Sequence, residues 1–380
     1  MKLDDLLQLM VDEQASDLFI SVGSSPSVKI DGVLYTLDDS IVSGELAEKL
    51  VYGAMREEQK AQYDRDYELN FGIVREGIGR FRANAYRQQY QPGMVIRRIE
   101  TNIPTIKSLG LPEVLEDMAM EKRGLILVVG ATGVGKSTTM AAMVGHRNRH
   151  GSGHIVTVED PIEFVHQPKG CVITQREVGI DTKSYEMALQ NSLRQAPDVI
   201  LIGEILDRTT MHHSLAFAET GHLSLAPLHA ANCSQALERV INFFPRDRRD
   251  EILMDLSLNM RAIIAQRLVP TADGEGRVLA LEILTNSALA TDLIAKGRFD
   301  EIKSVMKKSD QHDMCTFEHS LFELYTKGLI SQEDALQYAD SPNDLRLMIK
   351  FGTNELSEDL AQRPNQISLT SAKRYPYFMG

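Results

Sequence analysis

Residues 125–137 of the chain read LILVVGATGVGKS, an aliphatic run that leads into a glycine-rich turn. The turn matches the pattern G-x-x-x-x-G-K-[ST], in which backbone N–H groups and a helix N-terminus face phosphate oxygens. Lys136 is expected to reach the terminal phosphates and Ser137 to hold Mg²⁺. The predicted nucleotide-binding residues are Gly130, Ala131, Thr132, Gly133, Val134, Gly135, Lys136, Ser137 and Thr138. The alternative is a turn that binds nothing, but the strand before it and the helix after it favour a P-loop.

Helix-like and strand-like stretches alternate around this turn. Helical spacing occurs at 114–120, 136–144 and 185–194, and buried strands are predicted at 125–129, 154–158 and 199–202. This order is typical of an α/β fold with a parallel sheet. Leu256, Met260, Ile263 and Ile264 have the spacing of one buried helical face, and the pattern is mostly helical after about residue 285.

Changes in pattern divide the chain into regions. Residues 1–103 alternate short strands and helices, as in an α+β module, with an amphipathic helix predicted around residues 46–55. Prolines and a glycine at 104–112 predict a linker. We therefore predict an N-terminal domain at 1–103, a linker at 104–112, a core at 113–285, a helical region at 286–345 and a tail at 346–380.

Composition excludes several classes of protein. With 53 acidic and 41 basic residues, the net charge of −12 argues against a broad grip on nucleic acid, and we predict no direct nucleic-acid partner. The three cysteines, Cys171, Cys233 and Cys315, form no C-x-x-C pair, which argues against a disulfide framework or a cysteine-rich zinc module. The aliphatic run before the turn is too short to span a bilayer, so we predict a cytoplasmic protein with no transmembrane segment.

Acidic residues follow two of the predicted strands. Glu204 ends the run DVILIGE, where a carboxylate can approach Mg²⁺, although a solvent-exposed glutamate is the simpler alternative. The cluster TVEDPIE at 157–163 follows the strand before it, and ligands of open α/β sheets lie at such strand ends. A carboxylate that activates water is expected in this cluster.

Arginines are concentrated in the N-terminal module. Residues 75–98 contain six arginines and one acid, Glu76, in an otherwise acidic protein. A solvated basic face or a set of intersubunit salt bridges is one interpretation. An arginine that stabilises transition-state charge in a neighbouring subunit is the other.

Four stretches of the chain resemble the type IV pilus retraction ATPases of the PilT/PilU family. GATGVGKSTT, VEDPIEFVH, APDVILIGEILD and ETGHLSLAPLHAANCSQALERVINFFP resemble its Walker A, aspartate, Walker B and histidine boxes. FRANAY in the N-terminal module also resembles the family. The resemblance implies an α/β fold with a RecA-like P-loop ATPase core, an N-terminal α+β PAS-like domain and a C-terminal helical region, assembled as hexameric rings.

The resemblance also implies roles for individual residues. Glu163 is the implied general base, Glu204 the acid at Mg²⁺, and His229 a histidine near the γ-phosphate. Arg80, Arg82 and Arg97 are the candidates for an arginine that acts on the adjacent subunit, and ATP and Mg²⁺ are the implied cofactors. His222, His229 and Cys233 suggest a metal site as an alternative, but a structural zinc needs a fourth ligand.

The function implied is that of a hexameric, Mg²⁺-dependent ATPase for pilus retraction and twitching motility. The resemblance is closer to the PilU branch, because ALATDLI stands where PilT-type motors carry the pattern AIRNLI. The implied partners are a PilT-type motor ring and the inner-membrane pilus platform protein, with the chain peripheral at that membrane. The alternatives are an independent PilT-type motor, an ATP-gated binding subunit with little turnover, a secretion ATPase or a DNA translocase.

Overall fold

The computed structural model describes residues 1–30, 32–37, 40–308 and 313–351. Most of the predicted tail, residues 352–380, lies outside the described residues. Within the described part, no helix has the length and the apolar content to cross a membrane.

The N-terminal module is a six-stranded antiparallel sheet with helices packed on one face. Its strands are β1 (Asp17–Ile20), β2 (Ser27–Ile30), β3 (Val33–Thr36), β4 (Glu68–Arg75), β5 (Gly79–Gln88) and β6 (Gln91–Ile99), in the order β3-β2-β1-β6-β5-β4. Its helices are α1 (Leu3–Asp12), α2 (Gly44–Gly53) and α3 (Glu57–Asp66). Along β5, Phe81, Ala83 and Ala85 are buried while the residues between them are not, so one face covers the core and the other is open. The predictions of an α+β module and of its amphipathic helix are confirmed.

A seven-stranded sheet forms the centre of the second module. Its strands are β7 (Gly124–Val129), β8 (Gly153–Glu159), β9 (Cys171–Glu177), β10 (Val199–Ile202), β11 (Leu223–Leu228), β12 (Met260–Pro270) and β13 (Arg277–Thr285), in the order β13-β12-β7-β11-β10-β8-β9. The pairs are parallel except for β12 with β13. The carboxyl ends of β7, β8, β10 and β11 therefore meet at one edge of the sheet. This parallel sheet confirms the predicted α/β fold class.

Helices cover both faces of this sheet and continue into the C-terminal region. They are α4 (Val114–Ala119), α5 (Lys136–His150), α6 (Tyr185–Ser192), α7 (Arg208–Glu219), α8 (Cys233–Asn242), α9 (Arg249–Asn259), α10 (Ala288–Ala295), α11 (Ile302–Lys308), α12 (Phe317–Thr326) and α13 (Gln332–Tyr338). Residues 342–351 are also helical. The helical pattern predicted after residue 285 is thus confirmed over the described residues.

One helical prediction is wrong. Leu256 lies in α9, but Met260, Ile263 and Ile264 lie in β12, which pairs with β7 on one side and β13 on the other. A strand that is buried on both faces carries apolar residues almost continuously, so some of them fall by chance at helical spacing. Burial of Ala262 to Ala265 shows this two-sided covering.

The segment predicted as a linker packs against the second module. Ile106, Leu109 and Leu111 are buried in one cluster with Ile126 and Val128 of β7. The prolines and the glycine of this segment gave no information on its burial. Residues 104–112 therefore contribute apolar contacts to the second module.

We predict that Ile106→Ala destabilises the protein by about 2–5 kcal/mol, because it deletes buried methyl and methylene groups and leaves a cavity. Ile41→Ala is the matched control, since Ile41 is 66% exposed whereas Ile106 is 1% exposed. The urea midpoint of each variant measures the difference. Equal midpoints for the two variants would show that the 104–112 segment is not part of the core.

Candidate nucleotide-binding and catalytic site

The glycine-rich turn joins β7 to α5 in a conformation that only glycine adopts easily. Gly133 and Gly135 have φ values of 78° and 85°, in the left-handed region. A Cβ at Gly130 would lie 2.6 Å from Val134 Cγ2 and 2.8 Å from the carbonyl oxygen of Gln266. The sequence therefore folds here into a tight loop at the start of α5, and a helix N-terminus after such a loop is a typical anion-binding site.

Lys136 begins α5 and its side chain returns over the loop. Its Nζ donates to the carbonyl oxygens of Gly130, at 3.0 Å, and Ala131, at 2.7 Å. Burial lowers the pKa of Lys136, whereas the charges of Glu204 and Glu163 favour its protonated form. The ammonium group is therefore hydrogen-bonded to the loop, and the charges of two predicted catalytic acids favour its protonated form.

A cleft of about 370 Å³ lies at the edge where the parallel strands end. From the loop it is lined by Thr132, Gly133, Gly135, Lys136, Ser137 and Thr138. From the other strand ends it is lined by Glu163, Glu204 and His229. Phosphate-binding groups and the acidic and histidine residues predicted from separate stretches thus lie in one cleft.

Glu204 and His229 form a pair within the cleft. Nε2 of His229 lies 2.7 Å from Oε1 of Glu204, and both side chains are about one-third exposed. They follow the adjacent strands β10 and β11, so the sheet pairing itself brings them together. Gly203, just before Glu204, permits a close approach to the end of β8, because a Cβ there would lie 2.7 Å from Glu159 Cα.

Glu159, at the end of β8, is a functional candidate that the sequence did not single out. Its Oε1 accepts hydrogen bonds from Thr157 Oγ1, at 2.6 Å, and from Gln175 Nε2, at 3.2 Å. Burial raises its pKa to about 7, although these two donors favour the ionised form. The residue lies in the acidic cluster at 157–163, but its burial depends on β9, which sequence patterns do not place beside it.

Gln175 on β9 connects Glu159 to the loop that follows Glu163. Its amide nitrogen also donates to the carbonyl oxygen of Phe164, at 2.9 Å, and its amide oxygen accepts from the backbone N–H of His166, at 2.7 Å. A single glutamine therefore fixes both ends of the segment that carries the predicted base. A lone glutamine in a strand gives no sequence signal for this role.

The three candidate arginines share the open face of the N-terminal sheet. Arg80 and Arg82 are two residues apart on β5, so their side chains lie on the same face of the sheet. Arg97 on β6 lies directly opposite Arg82. Arg97 pairs with Asp17 at 2.8 Å but remains 71% exposed. Arg82 lies 3.9 Å from Glu177 and 4.0 Å from Asp160 of the same chain.

Within the described residues, the cleft lining includes none of these three arginines. It does include Arg277 at the start of β13, which the sequence analysis missed.

Cys233 is fully buried, and its thiol donates to the carbonyl oxygen of Ile263 at 3.5 Å. The structure therefore gives Cys233 a packing role outside the cleft.

The comparisons with known proteins agree with this geometry. The family described as Type II/IV secretion system protein matches residues 2–340. The chain belongs to this family. Within the family it is 54% identical to the type IV pilus ATPase PilU of Pseudomonas aeruginosa, over 97% of both chains. It is 36% identical to the type IV pilus retractation ATPase PilT of the same organism, over 90% of this chain and 100% of the relative.

A solved structure gives the same result for the fold. The crystal structure of the pilus retraction motor PilT with bound ADP has a TM-score of 0.85 and 36% identity, and the match covers 92% of this chain and 100% of that one. The predictions of a PilT/PilU-like protein, most like PilU, and of an ATPase are confirmed. This member of the secretion ATPase family is a nucleotide-binding ATPase.

The raised pKa of Glu159 predicts a pH-dependent stability for the nucleotide-free protein. Between about pH 4.5 and pH 7 the folded protein keeps a proton that the unfolded chain releases, so stability falls as pH rises through this window. Glu159→Gln removes this effect and can still accept both hydrogen bonds. We expect its gain in stability over the wild type to be larger at pH 8 than at pH 5, by on the order of 2 kcal/mol.

Urea unfolding at the two pH values measures this difference. Glu186→Gln is the control, because Glu186 is exposed on α6. An identical offset between Glu159→Gln and the wild type at pH 5 and pH 8 would contradict a raised pKa for Glu159.

Proposed function

We propose that this ATPase works as a ring of six copies that couples Mg²⁺-dependent ATP hydrolysis to type IV pilus retraction, as a PilU-like accessory motor. The observation that carries the proposal is the cleft in which Lys136 faces Glu163 and the Glu204–His229 pair. The 54% identity to PilU, against 36% to PilT, favours the accessory role over that of an independent motor.

The cleft has the groups that phosphoryl transfer to water requires. The loop N–H groups and Lys136 bind the phosphates and offset their negative charge. Glu163 is exposed at the cleft wall, where a water can reach it. As the water oxygen bonds to the γ-phosphorus, Glu163 accepts a proton from that water, and the bond from phosphorus to the ADP oxygen breaks. The products are ADP and inorganic phosphate.

The oxygen donors of the cleft fit Mg²⁺. This ion prefers oxygen ligands and usually binds through one or two protein side chains together with phosphates and waters. The hydroxyl of Ser137 and the carboxylate of Glu204 supply such donors. A bound Mg²⁺ would further offset phosphate charge, while His229 orients Glu204 through Oε1.

The open face of the N-terminal sheet supports a site that is shared between copies. Arg80, Arg82 and Arg97 give it positive charge in a protein whose net charge is −12. We assign to this face the stabilisation of charge on the nucleotide of the adjacent copy. Contact with a PilT-type motor ring and the inner-membrane pilus platform protein would place the ring in the cytoplasm, peripheral to that membrane.

Replacing the proposed base tests the catalytic part of this function. We expect Glu163→Gln to bind ATP about as tightly as the wild type, because the phosphate-binding loop is unchanged, and to lower turnover by about 100-fold or more. Phosphate release measures turnover, and a fluorescent ATP analogue measures affinity. Glu186→Gln, with the same chemical change on the exposed face of α6, is expected to keep full turnover.

The same variants test the pilus assignment in piliated cells that carry this chain. Glu163→Gln in place of the wild type is expected to reduce retraction events when pilus length is followed under load, whereas Glu186→Gln leaves them unchanged. Normal turnover by Glu163→Gln would overturn the assignment of the base. Unchanged retraction in cells that lack this chain would overturn the role in the pilus.

A further inference from the structure

A short segment connects the catalytic cleft to the C-terminal helical region. Residues 229–232 run from the end of β11 to the start of α8, where Asn232 caps the helix by accepting from the backbone N–H of Gln235 at 2.9 Å. His229, at the beginning of this segment, contacts Glu204 in the cleft. Any displacement of His229 therefore reaches α8 through a few peptide bonds.

Arg267 on β12 holds the far end of this segment against the C-terminal region. Its guanidinium donates to the carbonyl oxygen of Ala231 at 3.0 Å and to that of Tyr338 at 2.6 Å, and it pairs with Asp340. Its planar group also lies 3.9 Å from the centroid of the Phe317 ring. The geometry uses several donors of the guanidinium together with its flat face, which lysine cannot reproduce.

Asp340 is the acceptor on which these contacts converge. Its carboxylate accepts from Asn232 Nδ2 at 3.0 Å and from Lys303 Nζ at 3.5 Å, in addition to Arg267. Burial opposes ionisation, but Arg267 and Lys303 hold the pKa of Asp340 below its usual value. The side chains of Arg267 and Asp340 are each 19% exposed, so the pair is largely shielded from solvent.

A buried acid, Glu282, also fixes this helix terminus. Glu282 on β13 accepts from the backbone N–H of Cys233 at 2.8 Å. The start of α8 is thus held from β12, from β13 and from the residues after α13. Breaking one member of a shielded charge network leaves its partners unpaired, which makes such a network respond as a unit.

We propose that Arg267 and Asp340 are positioning residues that couple the state of the nucleotide cleft to the C-terminal helical region through residues 229–232. The inference rests on the proposed function and adds the path by which the cleft acts on that region. Nucleotide contact at His229 shifts the position of Asn232. The Arg267–Asp340 pair, which contacts Asn232, Phe317 of α12 and Tyr338 of α13, transmits this shift to the two helices. The same contacts act in the opposite direction, so a change at Asp340 also alters how His229 and Glu204 are held in the cleft.

Asp340→Asn tests this coupling, because it keeps the size of the side chain but removes its charge. The matched control is Asp344→Asn, which removes the same charge from an acid that pairs with Lys307 and does not contact residues 229–232. We expect Asp340→Asn to lower kcat by about 2- to 30-fold, the range found for residues along coupled networks, with little change in KM. Asp340→Glu is expected to recover part of the loss.

Hydrogen exchange of the backbone amides provides a readout that does not depend on turnover. In the wild type and in Asp344→Asn, ADP is expected to change the exchange of residues 317–338, and in Asp340→Asn this response is expected to be lost. Asn232→Ser provides a milder variant, since serine still caps α8 but cannot donate to Asp340 in the same way. It is expected to weaken the same response.

The outcomes separate this proposal from the proposed function. If Asp340→Asn and Asn232→Ser match Asp344→Asn in kcat and in the exchange response to ADP, the coupling proposal is wrong. If the wild type binds ADP with the expected exchange response but does not hydrolyse ATP, the proposed function fails and the coupling stands.

Discussion

The parallel pairing of four strands, which brings their carboxyl ends to one edge of the sheet, organises the site. Lys136 can interact with Glu163 and Glu204 because the strands before these residues run parallel and end at one edge of the sheet. The same edge brings His229 to Glu204. In the nucleotide-free protein the acids partly offset the charge of Lys136, and bound phosphate would add to this offset.

The residues that sequence analysis identified are those whose role depends on local pattern. The P-loop and Glu204 directly follow apolar strands. The strand that precedes each of them therefore supports the role that the motif predicts. Glu159 and Gln175 were missed because their contact depends on the pairing of β8 with β9. Arg267 and Asp340 are 73 residues apart in the chain, and no periodic pattern in the sequence predicts a contact between them. Met260 was assigned to a helix because two-sided burial in β12 resembles helical spacing.

The two modules contribute different parts of the proposed motor. The core supplies the cleft. One face of the N-terminal sheet is covered by the helices of its own module, and the opposite face carries the arginines. The C-terminal helices are connected to the cleft through the segment that follows His229. A ring would place the basic face of one copy against the cleft of another, so that hydrolysis changes the preferred arrangement of the modules.

Ring assembly and catalysis are tested together by measuring ATP turnover as a function of protein concentration and determining the mass of the assembly on the same samples. We expect turnover of the wild type to rise as a six-subunit mass forms, and Glu204→Ala to form the same assembly without turnover. A monomer that turns over ATP at an undiminished rate, or a Glu204→Ala variant that remains active, would contradict this expectation.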